Sequence, residues 1–411
     1  MVSDRGIHLE AWNIVIDFDI PVDRRGTNSL KWERYAGRDV IPLWVADMDF
    51  RSPPSVIAAL HEHVEHGVFG YTLPPKELVE VVTSRLHKDY NWQVEPEWIL
   101  WLPGLVTGLN VACRAVGKEQ DAVMTAVPVY PPFLSAPGYS GRKLVTSDLM
   151  GKDGRWTLDI QEMEKNLTPR TRLFILCNPH NPVGRIYTTE ELTSLAAFCE
   201  KHDIIICSDE IHCDLLLDEG KSHIPIATLG PDIARHAITL MAPSKTYNLP
   251  GLGCSFAVIP DKGIRARFQA AMSGIVPHVN ALGFTAALAA YRDCGDWLKA
   301  LLAYLRGNRD LVEETLSIIP GLSVPHVEAT YLAWIDTRAT GLENPAAFFE
   351  EAGVGVWDGR DFGGSNAVRL NFACNRALLV KALERMKEAL LHHLSEGGSR
   401  EEEPHVQNGR P

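Results

Sequence analysis

One lysine stands directly after a strongly apolar run of the sequence, in the segment Ala242-Pro243-Ser244-Lys245-Thr246. A lysine that is partly withdrawn from water has a lowered pKa, and its neutral amine can condense with an aldehyde to form a Schiff base. The ordinary alternative is a surface lysine at the end of a strand. The chemistry of Lys245 therefore depends on whether cofactor-binding groups surround it.

Three other segments place polar groups at the end of an apolar run or at the start of a helix. Asp209 ends a strongly apolar run, and Asn181 belongs to the second of two Asn-Pro turns that follow another such run. Side chains at the carboxyl ends of parallel strands face the ligand-binding crevice of an open α/β sheet. A helix that begins at Gly104 leaves the backbone amides of its first turn available for a phosphate.

Short apolar runs alternate with longer segments of helical periodicity through the middle of the chain. This alternation predicts a mostly parallel sheet covered by helices, because strands that are buried on both faces have continuous apolar sequences. The predicted helix at 189–202 has Thr188 or Thr189 to cap it and two glutamates in its first turn. The predicted strands are 122–126, 172–177, 203–208, 237–242 and 253–259.

After about residue 290 the pattern changes to a long helix, two strands and a final helix. The predicted fold class is α/β: a large domain in which helices sandwich a mostly parallel sheet, plus a smaller α+β domain assembled from both chain ends. We assign residues 1–50 to an N-terminal segment that contributes to the small domain, 51–290 to the large domain and 291–395 to the small domain. Residues 396–411 have almost no apolar side chains and are expected to form a flexible tail.

The composition argues against several classes of partner. The 411 residues include 52 acidic and 40 basic side chains, and a net charge of -12 is unfavourable for binding nucleic acid. No run of about 18 apolar residues is present and the first residues lack the apolar core of a signal peptide, so we expect no membrane span and a cytoplasmic location. The eight cysteines form no CxxC pair, and His61, His63 and His66 lack the spacing of a zinc-binding helix, so no metal site is predicted.

The polar segments, taken in their order along the chain, resemble the fold-type I pyridoxal-phosphate enzymes of the aminotransferase class I and II superfamily. The shared order is a glycine-opened helix, Asn-Pro-x-Asn-Pro-x-Gly-Arg at 178–185, Ser-Asp-Glu-Ile-His at 208–212 and Ser-Lys-Thr-x-Asn at 244–248. Pro-Leu-Trp-Val-Ala-Asp-Met-Asp-Phe at 42–50 and Val-Arg-Leu-Asn-Phe-Ala at 368–373 narrow the resemblance to the MalY- and PatB-type carbon-sulfur lyases, the cystathionine β-lyase subgroup. The resemblance covers about residues 12 to 395.

The resemblance implies a role for each matching residue. Lys245 is expected to form the Schiff base with pyridoxal phosphate, and Asp209 to pair with the protonated ring nitrogen. Asn181 would hydrogen-bond the ring hydroxyl and lie beside the substrate, while Tyr130 would stack on the ring. Arg369 would bind the substrate carboxylate, a bidentate task that suits a guanidinium. Lys245, Asp209 and Tyr130 are the expected catalytic group.

Further expectations concern the phosphate, the substrate and a second subunit. In a homodimer, Tyr71 would reach the phosphate of the neighbouring subunit, and Ala46 would lie beside the substrate. His212 stands where many aminotransferases have a tyrosine, and two roles stay open for it: contact with the cofactor or support of Asp209. The other residues expected at the cofactor are Gly104, Leu105, Val106 and Ser244.

The expected activity is that of a carbon-sulfur β-lyase, which cleaves L-cystathionine or a related S-substituted cysteine to a thiol, pyruvate and ammonia. The leading alternative is an aminotransferase that uses the same cofactor and transfers an amino group to a 2-oxo acid. A second alternative is a pyridoxal-phosphate-binding regulatory protein. The sequence disfavours the regulator because the lysine, the ring carboxylate and the substrate arginine are all present, and it leaves the natural S-substituted cysteine open.

Overall fold

A computed structural model describes residues 16–152, 154–364 and 366–398 of the chain. The strands are β1 (Ile41–Pro42), β2 (Ile99–Leu102), β3 (Ala122–Val127), β4 (Lys143–Asp148), β5 (Met150–Lys152), β6 (Arg155–Thr157), β7 (Thr171–Cys177), β8 (Ile205–Asp209), β9 (Ala237–Met241), β10 (Ser255–Val258), β11 (Leu332–Asp336), β12 (Val354–Gly355), β13 (Trp357–Asp358) and β14 (Ala367–Asn371). The helices are α1 (Leu30–Glu33), α2 (Pro54–His66), α3 (Lys76–Tyr90), α4 (Leu105–Ala115), α5 (Pro131–Tyr139), α6 (Ile160–Asn166), α7 (Thr189–Lys201), α8 (Pro231–Arg235), α9 (Lys262–Met272), α10 (Ala281–Asp293), α11 (Gly295–Ser317), α12 (Pro345–Glu351) and α13 (Arg376–Gly398).

A seven-stranded sheet with the order β2-β10-β9-β8-β7-β3-β4 forms the centre of the molecule. The strands from β9 to β4 in this order run parallel, whereas β10 is antiparallel to both β9 and β2. All residues of β3 and β9 are buried, as expected for strands covered on both faces. The predicted α/β class with a large, mostly parallel sheet between helices is confirmed.

Local side-chain chemistry explains where several helices begin. Thr188 accepts a hydrogen bond from the Glu191 amide, and the Glu191 side chain accepts one from the Thr188 amide, which is a capping box at the start of α7. Asp261 and Asn280 cap α9 and α10 in the simpler one-sided way. No side chain caps α4, which begins directly after Gly104, so the amides of its first turn are open to a ligand.

A second, smaller sheet has the order β11-β14-β13, and the short strands β1 and β12 pair beside it. The core around these strands joins apolar side chains of the segment from Phe18 to Val56 to those of α11 and α13. This shared core supports the assignment of the N-terminal segment to the small domain, while the exact domain boundaries stay a prediction.

The end of the chain differs in one detail from the sequence-based expectation. Helix α13 continues to Gly398, so the first residues assigned to the tail are helical, and the rest of the predicted tail, 399–411, lies outside the described residues. No helix within the described ranges is long and apolar enough to cross a membrane.

Candidate active site

Lys245 lies in the loop that follows β9, at the carboxyl edge of the parallel strands. Its Nζ atom donates a hydrogen bond of 2.6 Å to the backbone oxygen of Ala46. Burial lowers the pKa of Lys245 to about 8, against the opposing effect of the Asp47 and Asp209 charges. The structure thus provides an amine that loses its proton far more easily than an ordinary lysine does.

Asp209 ends β8 and is buried. Its Oδ1 atom accepts a hydrogen bond of 3.1 Å from the Ile211 amide, and among the described residues no cation forms a salt bridge with it. Burial raises the pKa of Asp209 to about 7, partly opposed by the Ile211 amide and the Lys245 charge. A buried carboxylate in this position favours a proton-bearing partner, such as a protonated ring nitrogen.

Arg369 lies on β14 and is fully buried. Its Nη1 atom donates to Asn181 Oδ1 at 3.0 Å, and its Nη2 atom donates to the Trp44 backbone oxygen at 2.8 Å. The guanidinium lies over the rings of Trp357 and Phe362, at 4.6 and 4.8 Å from their centroids. Burial lowers the pKa of Arg369 to about 10, and its Nε atom has no hydrogen-bond partner among the described residues. The site therefore holds a fixed cation with donor capacity left for an anion.

Tyr130 and His212 lie near these groups. Tyr130 immediately precedes α5, its ring contacts Trp357 edge-on at 6.4 Å, and the charges of Arg369 and Asp209 both act on its hydroxyl pKa, which burial raises. Burial lowers the pKa of His212 well below the ordinary value, and its Nδ1 atom has no hydrogen-bond partner within the described part of the chain. No hydrogen bond joins His212 to Asp209 there, so a neutral ring nitrogen is left for a ligand.

His180 connects two parts of the site that are distant in sequence. One ring nitrogen, Nε2, lies 2.8 Å from the Pro128 backbone oxygen, and the other, Nδ1, lies 2.9 Å from the Tyr187 hydroxyl. Since a carbonyl oxygen only accepts, Nε2 carries the proton and Nδ1 accepts from Tyr187. His180 therefore ties the turn before Tyr130 to the turn that carries Asn181.

The burial of the His180 ring predicts that the stability of the protein depends on pH. Burial lowers the pKa of His180 to about 4, whereas an unfolded histidine titrates near 6.5. The contribution of His180 is complete above about pH 6.5 and is lost as the pH falls through about 4, by about 3 kcal/mol in all, because only the unfolded chain takes up the proton. Urea unfolding at a series of pH values measures the free energy of unfolding. In His180→Gln, the slope of this free energy against pH between about 4 and 6.5 is expected to be flatter than in the parent protein.

The matched change His61→Gln, at an exposed position on α2, is expected to leave the slope as in the parent protein. Equal slopes for the parent and His180→Gln would contradict the neutral, buried state assigned to His180.

The structure brings several of the residues expected from the sequence into direct contact, although they come from the central sheet, the small sheet and the N-terminal segment. Lys245 contacts Ala46 and Asn181 contacts Arg369 directly. Ser244 precedes Lys245 in the same loop, and its backbone oxygen accepts from the Leu249 amide. Tyr71 is fully exposed, so its side chain is not packed among these residues.

Sequence reasoning missed several residues of the site. Tyr331 donates from its hydroxyl to the Ala46 oxygen at 3.0 Å, so Tyr331 and Lys245 share one acceptor. Trp357 and Phe362 form the walls around Arg369. The sequence signal that could have indicated Tyr331 is its hydroxyl group inside an apolar run. Trp357 and Phe362 have no sequence signal that distinguishes them from ordinary core residues.

The polar atoms left without partners correspond to the groups of pyridoxal phosphate. The open amides at the start of α4 fit the phosphate, Asp209 fits the ring nitrogen, and the amine of Lys245 fits the aldehyde carbon. The residues that are present therefore fit this cofactor.

Comparison with known proteins agrees with this site. The sequence pattern of the aminotransferase class I and II family matches residues 38–386. Cystathionine beta-lyase PatB of Bacillus subtilis (strain 168) is 38% identical, over 91% of this chain and 100% of PatB. The crystal structure of OvoB is 46% identical with a TM-score of 0.90, over 91% of this chain and 99% of OvoB.

Cystalysin from Treponema denticola, whose crystal structure contains a pyridoxal 5'-phosphate cofactor, is 32% identical with a TM-score of 0.88, over 92% of this chain and 100% of cystalysin. The geometry of the site, the family pattern and these full-length similarities agree. The chain therefore belongs to the aminotransferase class I and II family, as a pyridoxal-phosphate-dependent member of its MalY/PatB group.

Proposed function

We propose that this protein is a carbon-sulfur β-lyase, which cleaves L-cystathionine or a related S-substituted cysteine to a thiol, pyruvate and ammonia. The observation that carries the proposal is that a buried amine and a buried cation contact the same short segment: Lys245 donates to the Ala46 oxygen and Arg369 to the Trp44 oxygen. The similar proteins named cystathionine beta-lyase support the same reaction class.

The residues divide the work of the reaction. Bound pyridoxal phosphate supplies an electron sink for the electron pair of the Cα-H bond. Arg369 binds the substrate carboxylate and orients Cα. The Lys245 amine removes the Cα proton, a task for which a pKa of about 8 is well matched near neutral pH. Asp209 holds the proton on the ring nitrogen through its negative charge.

The test mixes the loaded enzyme with L-cystathionine, without a 2-oxo acid, and measures pyruvate and free thiol per active site. Many equivalents of both are expected. At most about one half-reaction per site without thiol would instead identify an aminotransferase. No spectral or chemical response to any S-substituted cysteine would favour the regulatory protein.

A prediction concerns Arg369. Arg369→Ala is expected to raise KM for the amino acid by about 10²- to 10³-fold, because a charge-assisted pair contributes a few kcal/mol to binding. Steady-state kinetics with L-cystathionine measure the change. Arg338→Ala removes an exposed arginine paired with Asp336 and should leave KM as it is. An unchanged KM in Arg369→Ala would contradict the assigned role.

We also propose a homodimer in which Tyr71 completes the site of the neighbouring subunit. The support is the exposure of the segment around it, where Val68, Phe69, Tyr71 and Leu73 are 63, 60, 107 and 82% exposed. Such a run of apolar side chains on a surface indicates a contact with another protein.

Mixing two inactive variants tests the dimer. In hybrids of Tyr71→Ala and Lys245→Ala chains, one of the two sites has neither defect, so about one quarter of the parent activity should return after random reassociation. A mixture of Lys245→Ala with Asp209→Asn should recover nothing, because both residues serve the site of their own chain. Failure of the first pair to recover activity would contradict a role of Tyr71 across subunits.

We propose the cytoplasm as the location of the enzyme. The support is that all eight cysteines are buried free thiols, as is usual in a reducing compartment. Fractionation of cells, with activity measured in each fraction, tests it.

A further inference from the structure

The segment from Trp44 to Met48 has no regular secondary structure, and side chains from four other parts of the chain hold it in place through hydrogen bonds. Each of its five successive backbone oxygens accepts a side-chain hydrogen bond. The donors are Arg369 to Trp44, Asn371 to Val45 and Asp47, Lys245 and Tyr331 to Ala46, Lys31 to Asp47, and Arg24 and Asn248 to Met48. The position of this segment relative to Lys245 is therefore fixed from several sides.

Asp47 is the charged residue within this segment, and its two carboxylate oxygens differ. Oδ2 accepts a hydrogen bond of 2.7 Å from Arg24. Oδ1 is buried and has no hydrogen-bond partner among the described residues, and the Lys31 ammonium lies 3.9 Å from it. A buried carboxylate oxygen without a donor is unfavourable unless it serves a charge nearby.

We propose that Asp47 is a positioning residue whose carboxylate stabilises the ammonium form of Lys245, while the Ala46 carbonyl next to it in the chain fixes where the Nζ atom lies. The inference rests on the proposed function, because there Lys245 takes up the Cα proton and must carry a positive charge inside the site. It goes beyond that function by assigning Asp47 as the negative charge that balances the Lys245 ammonium.

The other groups that face Lys245 do not fill this role. Asp209 is assigned to the ring nitrogen and Arg369 to the substrate carboxylate, while Tyr331 and His212 are uncharged. Among the described residues, Asp47 and Asp209 are the anions whose charges raise the pKa of Lys245 against the effect of burial, so Asp47 is the one left for this role. Arg24 and Lys31 offset Asp47 only in part, because both also bind Asp49, at 2.8 and 2.7 Å.

The experiment measures the titration of Lys245 directly. The full-length chain, freed of cofactor with a carbonyl reagent, is labelled with acetic anhydride at pH values from about 6 to 10, and the modification of Lys245 is read by mass spectrometry. Asp47→Asn is expected to move the midpoint about one unit downwards, which makes labelling at pH 7 about fivefold faster. The limiting rate at high pH should stay the same, because it reports access to the amine and not its charge.

Two further variants make the test two-sided. Arg24→Gln leaves Asp47 less neutralised and should move the midpoint upwards, so it tests the proposal even if Asp47→Asn folds poorly. Asp49→Asn is the comparison variant: it removes a carboxylate that is not among the charges acting on Lys245, and it leaves Arg24 and Lys31 freer to offset Asp47, so the midpoint should move downwards by less than in Asp47→Asn.

An unchanged midpoint in Asp47→Asn, or an equal shift in Asp49→Asn, would overturn the proposal. The measurement needs no turnover, so its failure is distinct from failure of the lyase assay.

Discussion

Replacing Lys245 by alanine is expected to abolish multiple turnover of L-cystathionine. The loss of a general base alone lowers kcat by about 10²- to 10⁴-fold, and the variant also lacks the amine that bonds the cofactor. We expect Lys245 to be an effective base because burial lowers its pKa to about 8 and because the Ala46 oxygen, 2.6 Å from Nζ, fixes its position. Pyruvate and thiol formed per site measure the change.

Lys245→Arg provides the matched control for charge. An arginine keeps a positive charge at this position but does not release its proton near neutral pH, so this variant should be as inactive as the alanine variant. Added small amines are expected to restore part of the activity of Lys245→Ala, because they replace the missing base. Substantial multiple turnover by either variant without an added amine would remove Lys245 as the base.

Much of the fold could be predicted because the signals are local. The continuous apolar runs at 122–126 and 237–242 correspond to β3 and β9, and the cap at Thr188 is in the expected place. The polar residues that follow such runs, Asp209 and Lys245, lie at one edge since parallel strands end together. The placement of these two residues at the carboxyl edge of the sheet could therefore be predicted from the apolar runs that precede them.

The contacts between distant parts of the chain could not be predicted in this way. Nothing in the residues around Ala46 indicates that its oxygen accepts from Lys245 and Tyr331, because a backbone oxygen has no sequence signature. Strand β4 could not be predicted either, because it is the outermost strand of the sheet and its mostly exposed residues form no apolar run. Irregular segments and edge strands depend on tertiary contacts, which outweigh local preference.

Asp209→Asn is the second change with a large expected effect. The substitution keeps the size of the side chain and removes the charge that we propose would hold the proton on the ring nitrogen. Loss of one partner from a buried charge pair costs about 3 to 5 kcal/mol, which corresponds to a decrease of kcat by about 10²- to 10⁴-fold. KM should change little, because Asp209 is assigned to the cofactor ring and not to the substrate. Steady-state kinetics and the absorbance of the bound cofactor measure both effects.

Glu210→Gln is the matched control, since it alters the adjacent buried carboxylate. Glu210 accepts hydrogen bonds from Ser208 and the Ile226 amide, and its Oε2 atom lies 2.7 Å from His223, so it is turned away from Lys245 into a separate structural contact. This variant should lose stability yet keep the cofactor absorbance and most of kcat. If Asp209→Asn and Glu210→Gln lowered kcat equally, the effect would come from damage to the end of β8. A selective loss in Asp209→Asn would instead assign the ring nitrogen to Asp209, because only a charge at that position changes the electron sink.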